Sequence, residues 1–107
     1  MFKIKIENTV QVPVKFTMKE GETDKVIKFS FTAKRMPWKE INESEKSVTE
    51  FLLDNVTGWK DQSFVLMDDG EPAPFSADAL RFMLDQIGLI SVMWNAYLRE
   101  CGGKEKN

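Results

Sequence analysis

The chain has no histidine and only one cysteine, Cys101, in 107 residues. Without histidine there is no Ser-His-Asp triad, no Cys-His dyad and no imidazole metal ligand. A single cysteine excludes an intrachain disulfide and a Cys-based zinc site. Long hydrophobic runs are missing as well. The longest stretch without a charge is residues 86–98, thirteen in all, where a bilayer span needs about 20. No charge sign dominates: 15 basic and 17 acidic side chains leave a net charge of −2. Residues 1–54 carry ten basic and nine acidic groups, net +1, and residues 55–107 carry five and eight, net −3. Neither half has the electrostatic footprint of a nucleic-acid binder. The first residues, Met1-Phe2-Lys3-Ile4-Lys5-Ile6, alternate instead of forming the apolar run of a signal peptide. That alternation and the lone cysteine predict a cytoplasmic protein with no membrane partner. The sequons Asn42-Glu43-Ser44 and Asn55-Val56-Thr57 mean nothing without secretion.

What is present suits a soluble globular chain, with 42% apolar and 30% charged residues. Residues 1–107 read as a single α+β domain: strands over about 2–33, a helical part over about 44–101 and a polar tail at 102–107. Val10, Val12, Val14, Phe16 and Met18 alternate with polar residues, as do Ile27, Phe29, Phe31 and Ala33. Period two with one polar face means half-buried strands. The turn-rich residues 20–24 between them predict an antiparallel hairpin pairing residues 10–18 with 25–33. Residues 2–6 are a candidate third strand, so the expectation is a hairpin or a three-stranded sheet. Pro13 lacks an N–H, so its strand is expected at an edge or bulged there. Lys3, Lys5, Lys15 and Lys28 line the expected solvent face.

About three helices are expected to follow. Pro37 breaks the chain at Met36-Pro37-Trp38. Ser44 or Ser47 can cap a helix whose apolar stripe is Val48, Phe51, Leu52 and Val56, with Gly58 as its stop. Ser76 is a good N-cap, Phe75 and Leu80 have the spacing of a hydrophobic staple, and Asp78 suits the first turn. Leu80, Met83, Leu84 and Ile87 form the stripe of that helix, and Gly88 is expected to interrupt or kink it. A last helix follows and stops at Gly102-Gly103.

Few residues carry chemistry. Asp68, Asp69 and Glu71 around Gly70 are the only dense carboxylate group. Such a group can hold a hard cation or form an acid/base pair. Its spacing does not match an EF-hand and no second cluster completes a site, which favours a solvated turn before Pro72 and Pro74. A small metal-binding or enzymatic domain built on these three carboxylates is the rival reading from another class. Cys101 has only Arg99 as a nearby cation, which suits an inert thiol. Trp38 and Trp59 stand open between core and binding roles.

Residues 80–98 say more. Eleven of these nineteen are large and apolar, wider than one packed stripe needs. A surplus of apolar perimeter suggests contact with another chain, and six methionines suit adaptable surfaces. Trp94 and Tyr97 are three apart and share a helix face, with Ile90 and Met93 beside them. These four, with Trp38 as a further candidate, are expected to form a protein-binding surface. Burial of both helices by the strands and the middle helix is the competing reading.

The phrase Asp69-Gly70-Glu71-Pro72-Ala73-Pro74-Phe75-Ser76, then Asp78-Ala79-Leu80, then an apolar helix ending Trp94-Asn95-Ala96-Tyr97-Leu98, resembles the tail assembly chaperones of long-tailed bacteriophages. With the preceding strands the resemblance covers most of the chain. It implies a non-enzymatic, cofactor-free assembly factor in the host cytoplasm. Such a factor binds the tape measure protein, keeps its apolar helices soluble, yields to arriving tail tube subunits and is absent from the virion. It also implies self-association and, often, a longer form made by frameshifting, for which Gly102-Gly103-Lys104 is suggestive. The alternative within phage biology is a structural tail-tube or head–tail joining protein.

Overall fold

The computed structural model describes residues 1–102; the tail beyond Gly102, with the suggestive Gly103-Lys104, lies outside the described residues. The chain is α+β. Strands β1 (Thr9–Glu20) and β2 (Thr23–Lys34) form a long antiparallel hairpin with Val10 opposite Ala33 and Met18 opposite Lys25. This is the register that the alternation predicts. Gly21, at φ +64°, takes the first position of the two-residue loop, where a type II′ turn requires a left-handed residue. Arg35 donates its N–H to the Asn8 carbonyl at 2.6 Å, one step beyond the paired strands. Bonded pairs recur every second residue, so the even residues of β1 bond to β2. Pro13 therefore faces its missing donor outward, and β1 is an edge strand as expected.

Val12, Val14, Phe29, Phe31 and Ala33 point into the core from this hairpin. Lys15 and Lys28 stand opposite one another on the other, exposed face. The hairpin outruns the helices that cover it. The chain measures 52 × 35 × 22 Å with a radius of gyration of 15.1 Å, against about 13 Å for a compact chain of this length.

Two expectations about strands and helix ends are corrected. Residues 2–6 form no strand in this chain and are exposed. The third strand is β3 (Val56–Lys60), which pairs antiparallel with β2 and completes the order β1-β2-β3. Gly58 does not stop a helix; it lies within β3, opposite Thr32. Helix α2 (Val48–Asn55) ends at Asn55 and the backbone passes into β3 without a loop. Val56 is buried and paired with Ala33 across a bulge. The free edge of β2 offers this segment ladder bonds that an exposed helical turn does not.

Four helices are present among the described residues, one more than expected, because α1 (Trp38–Glu43) occupies the stretch read as a break. Ser47 caps α2 by accepting the Glu50 N–H. Ser76 caps α3 (Ala77–Leu84) by accepting the Ala79 N–H at 3.0 Å. Phe75 turns its ring edge-on to Trp59, 5.2 Å between centroids. Gly88, at φ +88°, separates α3 from α4 (Leu89–Cys101). Replacing Gly88 by alanine is expected to cost about 1 kcal/mol, since the left-handed conformation strains any Cβ. A lowered urea midpoint checks it, and no shift would show that the corner relaxes. Helix α4 lies on β1 and buries Leu89, Met93, Ala96 and Tyr97. No helix among the described residues is long and apolar enough to cross a membrane.

Leu80 is buried and the carboxylate turn is not. Leu80→Ala is expected to cost about 2–5 kcal/mol as a core truncation. Asp68→Asn or Asp69→Asn should change stability by less than about 0.5 kcal/mol. Chemical denaturation of the three variants decides, and aspartate variants weaker than Leu80→Ala would overturn the assignment.

Candidate protein-binding surface

Helix α4 sorts its side chains into arcs. The residues at 89, 93, 96 and 97 turn toward the sheet, so Met93 and Tyr97 are both 0% exposed. The expectation that they belong to an exposed binding face is corrected: they are core. Ile90 and Trp94 lie on the next arc, half-buried. The reason is helical geometry. Four residues spaced 90, 93, 94 and 97 span more perimeter than one contact face, and the sheet takes the 93–97 side.

Tyr97 joins three elements. Its ring stacks on Trp94, at 5.7 Å and 17°, and meets Phe51 of α2 edge-on at 5.6 Å. Its hydroxyl donates to the Lys34 carbonyl at 2.8 Å and accepts the Met36 N–H at 3.1 Å. Burial pushes this phenol well above its ordinary range, and the adjacent Cys101 adds to the shift. Arg35 Nη1 donates to the Cys101 carbonyl at 2.5 Å. The half-buried Cys101 thus sits where α4 is tied to the end of β2.

Trp94 closes one side of an apolar strip. Phe51 meets it edge-on at 5.3 Å. A cleft of about 50 Å³ is lined by Trp94, Phe51, Val48 and Ile41 of α1, with Ser44, Lys46 and Ser47 at the turn between α1 and α2. Trp38 stands three residues before Ile41, on the same helix face, and is 64% exposed. Ile90 lies one turn before Trp94, and Ile87 three residues before Ile90. Ile87 is 94% exposed. The structure therefore brings Trp94 beside the helix that bears Trp38, and Ile90 lies one turn away on α4. Ile41 and Val48 join Trp94 although sequence spacing did not single them out for binding. Ile87 was read as part of the α3 stripe, and only the turn at Gly88 frees it.

A second groove, lined by apolar and charged side chains alike, lies at the far end of the hairpin. Its volume is about 320 Å³, and Met18, Ile27, Phe64 and Leu66 are among the residues that line it. Trp59, which stood open, is half-buried and donates its Nε1–H to the Ala73 carbonyl at 3.2 Å. Gln62 was missed. It is 4% exposed, and its amide bonds the backbone of Phe64, Val65 and Ala73, which fixes this loop.

The carboxylate turn assembles nothing further. The Asp69 Oδ1 accepts the Glu71 N–H at 3.0 Å, and Asp68, Asp69 and Glu71 are all exposed. Among the described residues no three or more of His, Cys, Asp and Glu are grouped to hold a metal ion. Comparison with protein-family models, curated proteins and solved structures found no match to this chain.

Proposed function

We propose that this protein is a non-enzymatic tail assembly chaperone of a long-tailed phage. It acts in the host cytoplasm, self-associates and is not retained in the virion. It needs no cofactor and works by holding apolar helices of the tape measure protein until tail tube subunits displace them. The resemblance of residues 59–99 motivates the reading. The observation that carries it is the half-buried Trp94 beside Ile41, with the exposed Trp38 on the helix of Ile41 and the exposed Ile87 just before α4. Ile90 and Trp94 lie one turn apart on α4, and Trp94 shares a cleft with Ile41 of α1 and with Val48 and Phe51 of α2, which suits helix-in-groove recognition. The aromatic members of this surface are of the kind that dominates binding energy. Release needs no ATP where tube subunits compete for the same surface.

The test is co-expression with the product of a tape measure gene neighbouring this one. The expected result is a tape measure protein that is insoluble alone and soluble as a complex with this chain. An unchanged insoluble fraction would refute the holding role. Stoichiometric recovery of the chain in purified virions would replace it with a structural one.

A further inference from the structure

Phe2, Ile4 and Ile6 alternate with Lys3 and Lys5, the pattern of a strand with one buried face. Yet all five side chains are exposed in the isolated chain, and Phe2 is fully so. Three large apolar groups left in water within five residues, in a sequence pattern that would align them on one side of a strand, point to a missing partner. The segment does not fold back on its own β1. Asn8 is still held in the ladder by Arg35, so a reversal that kept all of residues 2–6 as a strand would fall on Glu7 alone, too short for a hairpin turn.

We propose that residues 2–6 add as a strand to the open edge of β3 in a second copy of this chain, reciprocally. The chain offers two open edges, and they differ. That of β1 carries Pro13, which gives no donor there, and has Lys15 and Lys19 alongside. Proline and lysine guard edges against pairing, and Lys3 and Lys5 would add like charges. The edge of β3 has five residues, as the arm does, with no proline and a single lysine at its end. Among the described residues, no backbone outside β2 and α2 bonds to β3. On that edge Phe2, Ile4 and Ile6 extend the apolar face of Val56 and Trp59, and Lys3 and Lys5 stay on the side of Thr57 and Lys60.

A second copy is favoured over a foreign strand because one chain holds both a segment with strand alternation but no sheet and a sheet edge without a neighbour. Exchange between two copies satisfies both and closes with two-fold symmetry. Each arm brings three large apolar side chains that are exposed in the isolated chain.

Full-length wild type and Ile4→Asp/Ile6→Asp are compared by light scattering across a wide concentration range, with circular dichroism confirming the fold. The expected result is a dimer for wild type and a dissociation constant raised at least about tenfold in the variant. In a Cys101→Ser background, Lys5→Cys and Thr57→Cys chains, whose cysteines fall on the same face of the joined sheet, are mixed and oxidised. A disulfide-linked heterodimer is expected from the mixture and from neither chain alone. A wild type that stays monomeric, a variant that associates equally well, or a mixture without the cross-link would each overturn the exchange.

Discussion

Replacing Tyr97 with alanine is expected to cost about 3–5 kcal/mol, a large part of the roughly 5–15 kcal/mol that holds a domain folded. The ring is fully buried between Phe51 and Trp94, so its removal leaves a cavity at the junction of α4, α2 and the end of β2. Tyr97→Phe separates the ring from the hydroxyl. It keeps the stacking but orphans the Met36 N–H and the Lys34 carbonyl, with an expected loss of about 1–3 kcal/mol. The pH dependence follows from the raised phenol. The folded chain holds this proton more tightly than the unfolded chain does. That stabilisation is complete below the ordinary tyrosine value of about 10 and is lost as pH rises above it toward the folded value. Urea midpoints should fall above about pH 10 in wild type and fall less steeply in Tyr97→Phe. A phenylalanine variant as stable as wild type, with the same alkaline slope, would show that the hydroxyl bridge contributes nothing.

Loss of client binding without loss of fold is expected from Ile87→Asp combined with Trp38→Ala. Both side chains are largely exposed, so each substitution should change stability by less than about 0.5 kcal/mol. Placing a carboxylate in an apolar contact and removing an aromatic anchor should together cost at least about 2 kcal/mol of binding, near 30-fold in affinity. Trp94→Ala is a poorer probe, because Trp94 also contacts Phe51 and Tyr97 and its loss weakens the core. Co-purification with the tape measure protein, alongside thermal melts, reads both effects. A complex retained by the double variant would place the client elsewhere, first in the groove beneath Met18 and Phe64. A fallen melting temperature would mean that these residues serve the fold.

Local chemistry was legible in the sequence. Strict alternation fixed the β1–β2 hairpin and its register, because a one-residue slip turns every apolar side chain to water. Ser47 and Ser76 were readable as caps because a side-chain oxygen one step before an apolar period meets the free N–H groups of a helix start. The missing donor of Pro13 marked the edge, and Gly88 marked the break before α4. Tertiary structure decided what depends on partners distant in the chain. Val56-Thr57-Gly58 became a strand because β2 had a free edge to offer, and residues 2–6 did not because no edge of their own chain lay within reach. Helix α1 could not be read from Met36-Pro37-Trp38, where proline both ends one segment and can begin the next. The wide apolar perimeter of residues 80–98 was visible, but the arc that would face the sheet was not. Periodicity gives angles around a helix axis and no direction in space. The position of β1 therefore sent Met93 and Tyr97 into the core and left Ile90, Trp94 and Ile87 along its margin.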